Sequence, residues 1–144
     1  MTHDTAAAPL VLDTNVVLDW LVFRHPAAAC IEPALAAGRW RWWATPVMIS
    51  ELEHVLTYPE VQAWQPDRAA IRASCARWAS PVEPLPPPLS STLRCTDPDD
   101  QMFIDLAMQL GGTTLLSRDR AVLKLARRAR AQGVSILTPE RWSP

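Results

Sequence analysis

Several ordinary sources of function are missing from this chain of 144 residues. Its formal net charge is −1, so the molecule as a whole carries no basic signal for nucleic acid, and any such surface must be local. Its three cysteines (Cys30, Cys75 and Cys95) are odd in number and widely spaced. That suits a reduced, cytoplasmic setting better than a disulfide framework, and no Cys-x-x-Cys zinc spacing occurs. The three histidines, His3, His25 and His54, are too scattered to form a ligand cluster. The start of the chain has no basic region followed by a long apolar core, which argues against a signal peptide. No apolar run is long enough to span a bilayer, so no membrane partner is expected. There are no internal repeats.

What is present is a 49% hydrophobic composition in a length that suits one packed domain over 1–144, with residues 1–8 expected to be a flexible N-terminus. Its seven tryptophans are scattered, which fits core and interface packing better than a binding platform.

The organising stretch is Pro9-Leu10-Val11-Leu12-Asp13-Thr14-Asn15-Val16. A short apolar run without alternation predicts a strand buried on both faces, as in a parallel α/β sheet. Asp13 then stands at the strand's carboxyl end, the edge where open α/β sheets bind ligands.

The rest alternates in the same style. Asn15 is expected to cap a helix from Val16 through Phe23, and Pro26 to open an alanine-rich helix stopped by Gly38. Trp40 to Ala44 reads as a strand, and Thr45-Pro46 as the cap and first residue of a helix with an apolar stripe at Met48, Ile49, Leu52, Val55 and Leu56. Pro66 opens another helix through Trp78, and Val82 is placed in a brief edge strand. Pro81 to Pro88 holds five of the fourteen prolines and reads as a stiff connection within one domain. A helix from Asp97-Pro98 to Leu110, a strand over Thr113 to Leu116, a helix from Arg120 to about Ala131 and a strand over Val134 to Leu137 complete the alternation. Strands alternating with helices in this way imply a parallel sheet with right-handed crossovers.

On this map Asp13 and Asp119 reach the same sheet edge. Asp99 and Asp100 fall on the wheel beside Phe103, Ala107 and Leu110, while Gln101, Asp105 and Gln109 fall on the solvated side. Glu51 and Glu53 occupy opposite shoulders of their helix stripe, and spacing alone does not choose between them. Taken singly, most of these acids have a bland explanation: Asp97 as a helix cap, Asp100 as a first-turn acid, Asp119 as another cap. Asp13 does not, because an acid directly after a buried strand needs a partner. Carboxylates converging on one edge raise each other's pKa, and a hard divalent cation relieves the repulsion. Such a site can activate water against a phosphodiester.

The residues also resemble a known family. Leu12-Asp13-Thr14-Asn15-Val16, then Ser50-Glu51-Leu52-Glu53-His54-Val55-Leu56 with Tyr58-Pro59, then Asp97-Pro98-Asp99-Asp100-x-x-Phe103-Ile104-x-Leu106-Ala107, then Leu115-Leu116-Ser117-Arg118-Asp119 are similar in order and spacing to PIN-domain ribonucleases. The branch resembled is that of toxin components of toxin–antitoxin systems. The resemblance implies an α/β fold, a three-layer α/β/α sandwich around a short parallel sheet, and a Mg²⁺- or Mn²⁺-dependent endoribonuclease, a hydrolase acting on RNA, the toxin of a type II system, with a cognate antitoxin and a homodimer as partners. It implies metal ligation by Asp13, Glu51, Asp100 and Asp119, with Asn15 and Ser117 supporting the site and Asp99 in reserve. It favours Glu51 over Glu53. Many relatives carry a further acid where this chain has Ala121, which leaves a second metal without that ligand.

Arg120, Lys124, Arg127 and Arg128 cover one side of the helix after Asp119, a candidate contact for the RNA backbone. Two other readings compete. A haloacid-dehalogenase-like phosphatase also begins with an acid after its first strand, but needs a second Asp where this chain has Asn15. A non-catalytic interaction module could keep the fold without the chemistry.

Overall fold

The computed structural model describes residues 7–83 and 93–144. Five parallel strands form one sheet in the order β3-β2-β1-β4-β5: β1 Ala8–Leu12, β2 Trp40–Ala44, β3 Ala79–Pro81, β4 Thr114–Leu116 and β5 Ser135–Leu137. The first three strands step outwards on one side of β1, and the last two on the other. Chain order therefore reverses between β1 and β4, where Leu12 pairs with Leu116. A reversal of this kind opens a crevice at the carboxyl edge of the sheet. The central strands have the predicted burial, with Leu10, Val11, Leu12, Leu115 and Leu116 all at or near zero exposure.

Among the described residues, eight α-helices connect and cover the sheet: α1 Thr14–Leu21, α2 Ile31–Ala36, α3 Pro46–Val55, α4 Pro59–Gln62, α5 Arg68–Trp78, α6 Gln101–Leu110, α7 Arg120–Leu123 and α8 Ala126–Ala131. The α/β architecture matches the sequence reading. Thr45 caps α3 as expected, its hydroxyl accepting the Met48 N–H at 3.3 Å, with Pro46 at the first helical position. None of the described helices is long and apolar enough to cross a membrane.

Several boundaries differ from expectation, each for a local reason. Strand β1 begins at Ala8, whose N–H donates to the Arg39 carbonyl at 2.9 Å, so the N-terminal segment enters the sheet one residue earlier than predicted. The cap of α1 is Asp13, not Asn15: an Asp13 carboxylate oxygen accepts the Val16 N–H at 3.1 Å, and the helix starts at Thr14. The alanine-rich stretch divides into a short 3₁₀ turn over Pro26–Ala28 and α2. Asp67 rather than Pro66 starts the next helix, accepting the Ala70 N–H at 3.0 Å. The edge strand is Ala79–Pro81, and Val82 only continues its pairing, donating to Ala44 O at 3.1 Å. The predicted proline-rich connection falls, from residue 84 onward, outside the described residues.

The polar side of α6 is not a solvated face. The Gln101 amide donates to the Leu93 carbonyl at 3.0 Å and to Asp105 at 2.9 Å, and its oxygen accepts the Cys95 N–H at 2.6 Å. Gln109 donates to the Glu83 carbonyl at 3.4 Å. Amide side chains have both donors and an acceptor, so they can satisfy backbone groups that lack a sheet or helix partner.

Candidate metal centre at the sheet switch point

The short strands β1 and β4 end side by side, and each is followed at once by a buried polar residue, Asp13 and Ser117. The Asp13 N–H still donates to Leu116 O at 3.1 Å, which locks the start of α1 to the end of β4. Asp13 is 2% exposed. Its carboxylate is gripped at both ends, one oxygen accepting the Val16 N–H and the other the hydroxyl of the fully buried Ser117. Burial pushes the Asp13 carboxyl up to about 6, and nearby Asp119 adds to that. The Ser117 and Val16 donors act in the opposite direction. Ser117 also accepts the Asp119 N–H at 3.0 Å, so one hydroxyl fixes both acids.

Asp119 caps α7 through Ala121 N–H at 2.8 Å. Between Ser117 and Asp119, Arg118 turns away from the crevice. Its guanidinium pairs with Asp19 of α1 and, at 2.8 Å, with Glu140. The loop holding Ser117 and Asp119 is thus tied to α1, the helix that Asp13 caps.

From the other side, a 3₁₀ turn over Pro98–Asp100 delivers two more acids before α6 begins. Asp97, Asp100 and Asp119 each offer one carboxylate oxygen, and these three atoms lie within 4.8 Å of one another. Asp97 makes the expected capping bond, accepting the Asp99 N–H at 3.0 Å. Its membership of the cluster has no sequence signal, since an Asp before Pro at a helix start looks the same with or without a second role. Asp99 is exposed and outside that cluster, although it lines the same cleft.

Asp100 is the most perturbed acid. Its Oδ2 is buried without a hydrogen-bond partner. Burial raises its pKa to about 7, helped by the facing Asp119 carboxylate and then by Asp97 and Asp13. A buried acceptor without a donor is costly, and close like charges add to the cost. The residues therefore fit a cation. An all-oxygen donor set with no histidine or thiolate suits a hard ion such as Mg²⁺ or Mn²⁺.

The cleft around these acids has a volume of about 370 Å³ and is also lined by Asn15, Glu51, Phe23 and Tyr58. Asn15 is exposed there. Glu51 and Glu53 part company: Glu51 faces the cleft, whereas Glu53 pairs with Arg72 at 3.0 Å and Arg68 at 3.9 Å on the far side of α3. Their separation depends on arginines of α5, which no local pattern in α3 reveals.

Arg120, Lys124, Arg127 and Arg128 are all exposed. They do not share one continuous helix, because the chain breaks at Lys124 and Leu125 between α7 and α8. The break keeps Val122, Leu125 and Ala129 buried, and both short helices contact β5.

The sequence pattern described as PIN domain matches residues 9–121, a span that takes in Asp13, Glu51, Asp100 and Asp119. No curated protein matches the chain.

Proposed function

This chain belongs to the PIN domain family, and from that premise we propose that it is a Mg²⁺- or Mn²⁺-dependent endoribonuclease, the toxin component of a type II toxin–antitoxin system. The observation that carries the nuclease reading is the convergence of Asp97, Asp100 and Asp119 beside Asp13, with Asp100 Oδ2 buried and without a partner. In this reading Asp13, Asp100 and Asp119 hold the ion, with Glu51 across the cleft and Asp97 as an added ligand. A bound divalent ion supplies Lewis-acid activation of water and charge stabilisation at phosphorus.

The chain's own residues do the rest. Ser117 and Val16 N–H hold the Asp13 carboxylate in one orientation, so little reorganisation remains when the ion arrives. Asn15 at the rim is placed to orient the water or the substrate. Asp99 stands outside the cluster as a reserve acid. The toxin role rests on the resemblance, as do its partners, a cognate antitoxin and a second copy of this chain, and its cytoplasmic site of action.

The direct test is cleavage of single-stranded RNA with Mg²⁺ or Mn²⁺. Activity should vanish with EDTA and in Asp13→Asn. Activity that survives both would reject the site.

Arg120, Lys124, Arg127 and Arg128 provide a basic surface next to Asp119, which starts α7. We assign it to the phosphate backbone, whose contacts are sequence-independent and salt-dependent. Arg127→Glu/Arg128→Glu should weaken RNA binding and flatten the slope of log K against log salt by about 2. An unchanged slope would remove α8 from the RNA path.

A further inference from the structure

Folding normally hides large aromatic rings, because they bury the most apolar area. Yet Tyr58 is 41% exposed and Trp64 59%. Tyr58 lines the acidic cleft, and Trp64 adjoins that cleft through Phe23. Phe23 and Tyr58 line that cleft together with Asp13, Glu51, Asp97, Asp100 and Asp119. Trp64 packs against Phe23 with ring centroids 5.0 Å apart and planes at 59°. Tyr58 stands edge-on to His54, 5.3 Å away at 80°.

The backbone around the pair is also unusual. Among the described residues, only Arg24 and Gln65 are non-glycines with positive φ, at 54° and 50°. Each directly follows one ring of the Phe23–Trp64 pair. Left-handed backbone at residues with a side chain is unfavourable, and where it persists it tends to mark binding sites. Arg24 also puts an exposed cation beside Trp64, since both line the same small hollow.

We propose that Tyr58 and the Phe23–Trp64 pair form a stacking surface for unpaired nucleobases next to the phosphodiester in the acidic cleft, with Arg24 meeting a phosphate of the same strand. The proposal rests on the nuclease reading for its position and adds the side chains that hold the strand. Ring faces recognise any base, because every base has a π face, and each stack is worth roughly 5- to 150-fold in affinity. A duplex keeps its bases paired and stacked internally, so it cannot offer them. The surface therefore selects single strands without reading sequence. Exposed Glu60, Gln62 and Gln65 lie close to Tyr58 and Trp64 in the chain, so polar residues accompany the rings, unlike the apolar core of a protein interface.

The test uses the full chain with Trp64→Ala, Tyr58→Ala and Tyr58→Phe. The first readout is the Kd of a labelled 12-nucleotide single-stranded RNA at low salt in EDTA, and the second is KM and kcat for its cleavage with Mn²⁺. Each alanine variant should raise Kd and KM about tenfold and leave kcat within about twofold. Tyr58→Phe should behave as the parent, and binding of the same sequence as a duplex should not change. Unaltered Kd in both alanine variants would overturn the proposal. So would Tyr58→Phe losing as much as Tyr58→Ala, or equal losses for duplex and single strand. If the alanine variants lost a protein partner but kept their RNA affinity, the surface would be a protein docking site, and the proposal would fall. Because Kd is read without metal, a parent that binds single strands through these rings but cleaves nothing would fail the nuclease reading and not this one.

Discussion

Replacing Asp100 with asparagine is expected to abolish metal-dependent RNA cleavage and at the same time make the metal-free protein more stable at pH 8. The two effects have one cause. The Asp100 carboxyl is raised to about 7 by burial first and by the neighbouring acids second, and one of its oxygens has no donor. At pH 8 it is ionised, in a place that penalises the charge. Asparagine keeps the shape, removes the charge and brings an N–H₂ donor to the facing carboxylates of Asp97 and Asp119. Asp100 is only partly buried, so solvent screening limits the gain to about 1 kcal/mol. The loss in kcat/KM should be about 100-fold or more, since a ligand to the ion and its negative charge are removed together. Denaturant melts at pH 8 and single-turnover cleavage measure the two sides. A variant that cut RNA at the parent's rate would take Asp100 out of the site, and one that melted earlier would show the carboxylate to be stabilising.

The second large effect links protons to the ion. Asp13 and Asp100 have folded-state pKa values raised to about 6 and about 7 from 3.8. The folded chain therefore holds more protons than the unfolded chain between pH 4 and pH 7. By linkage, these two carboxyls stabilise the metal-free fold in acid, and that contribution is lost as pH rises through that window. On the nuclease reading Mg²⁺ or Mn²⁺ should act in the opposite sense, because it would bind the ionised carboxylates. At pH 5 only about a hundredth of Asp100 and about a tenth of Asp13 are ionised, so affinity should be about 1000-fold lower than at pH 8. An ion at 100 times its Kd stabilises by about 2.7 kcal/mol, or about 8 °C in Tm for a chain of this length. Thermal melts with Mn²⁺ at pH 8 and pH 5 should show that shift at the first pH and almost none at the second. Equal shifts at both would mean that other groups hold the ion.

The parts of the site differ in how well they could be read in advance. Asp13 was legible because an unalternating apolar run can end in an acid only where something receives the charge. Thr45-Pro46 was legible because capping uses one side chain and a backbone N–H three residues away. Asp97 was not, since its cap bond is a complete local explanation and its second environment is built by Asp119, twenty-two residues further on. The wheel placed Gln101 and Gln109 in solvent because it sees only one helix, whereas their amides satisfy carbonyls of other segments. The single final helix was drawn from a stripe that remained buried across the break at Lys124 and Leu125.

The sequence by itself determined the alternating strands and helices, the parallel sheet and the acids at its carboxyl edge, because period, burial and capping are local properties of a chain. Only the tertiary structure decided which acids share a space, which glutamate of α3 faces them, and which rings stay uncovered beside them. Those outcomes depend on distances between segments remote in sequence, and electrostatic repulsion, pairing with Arg72 and exposure of Trp64 exist only once those segments are packed together.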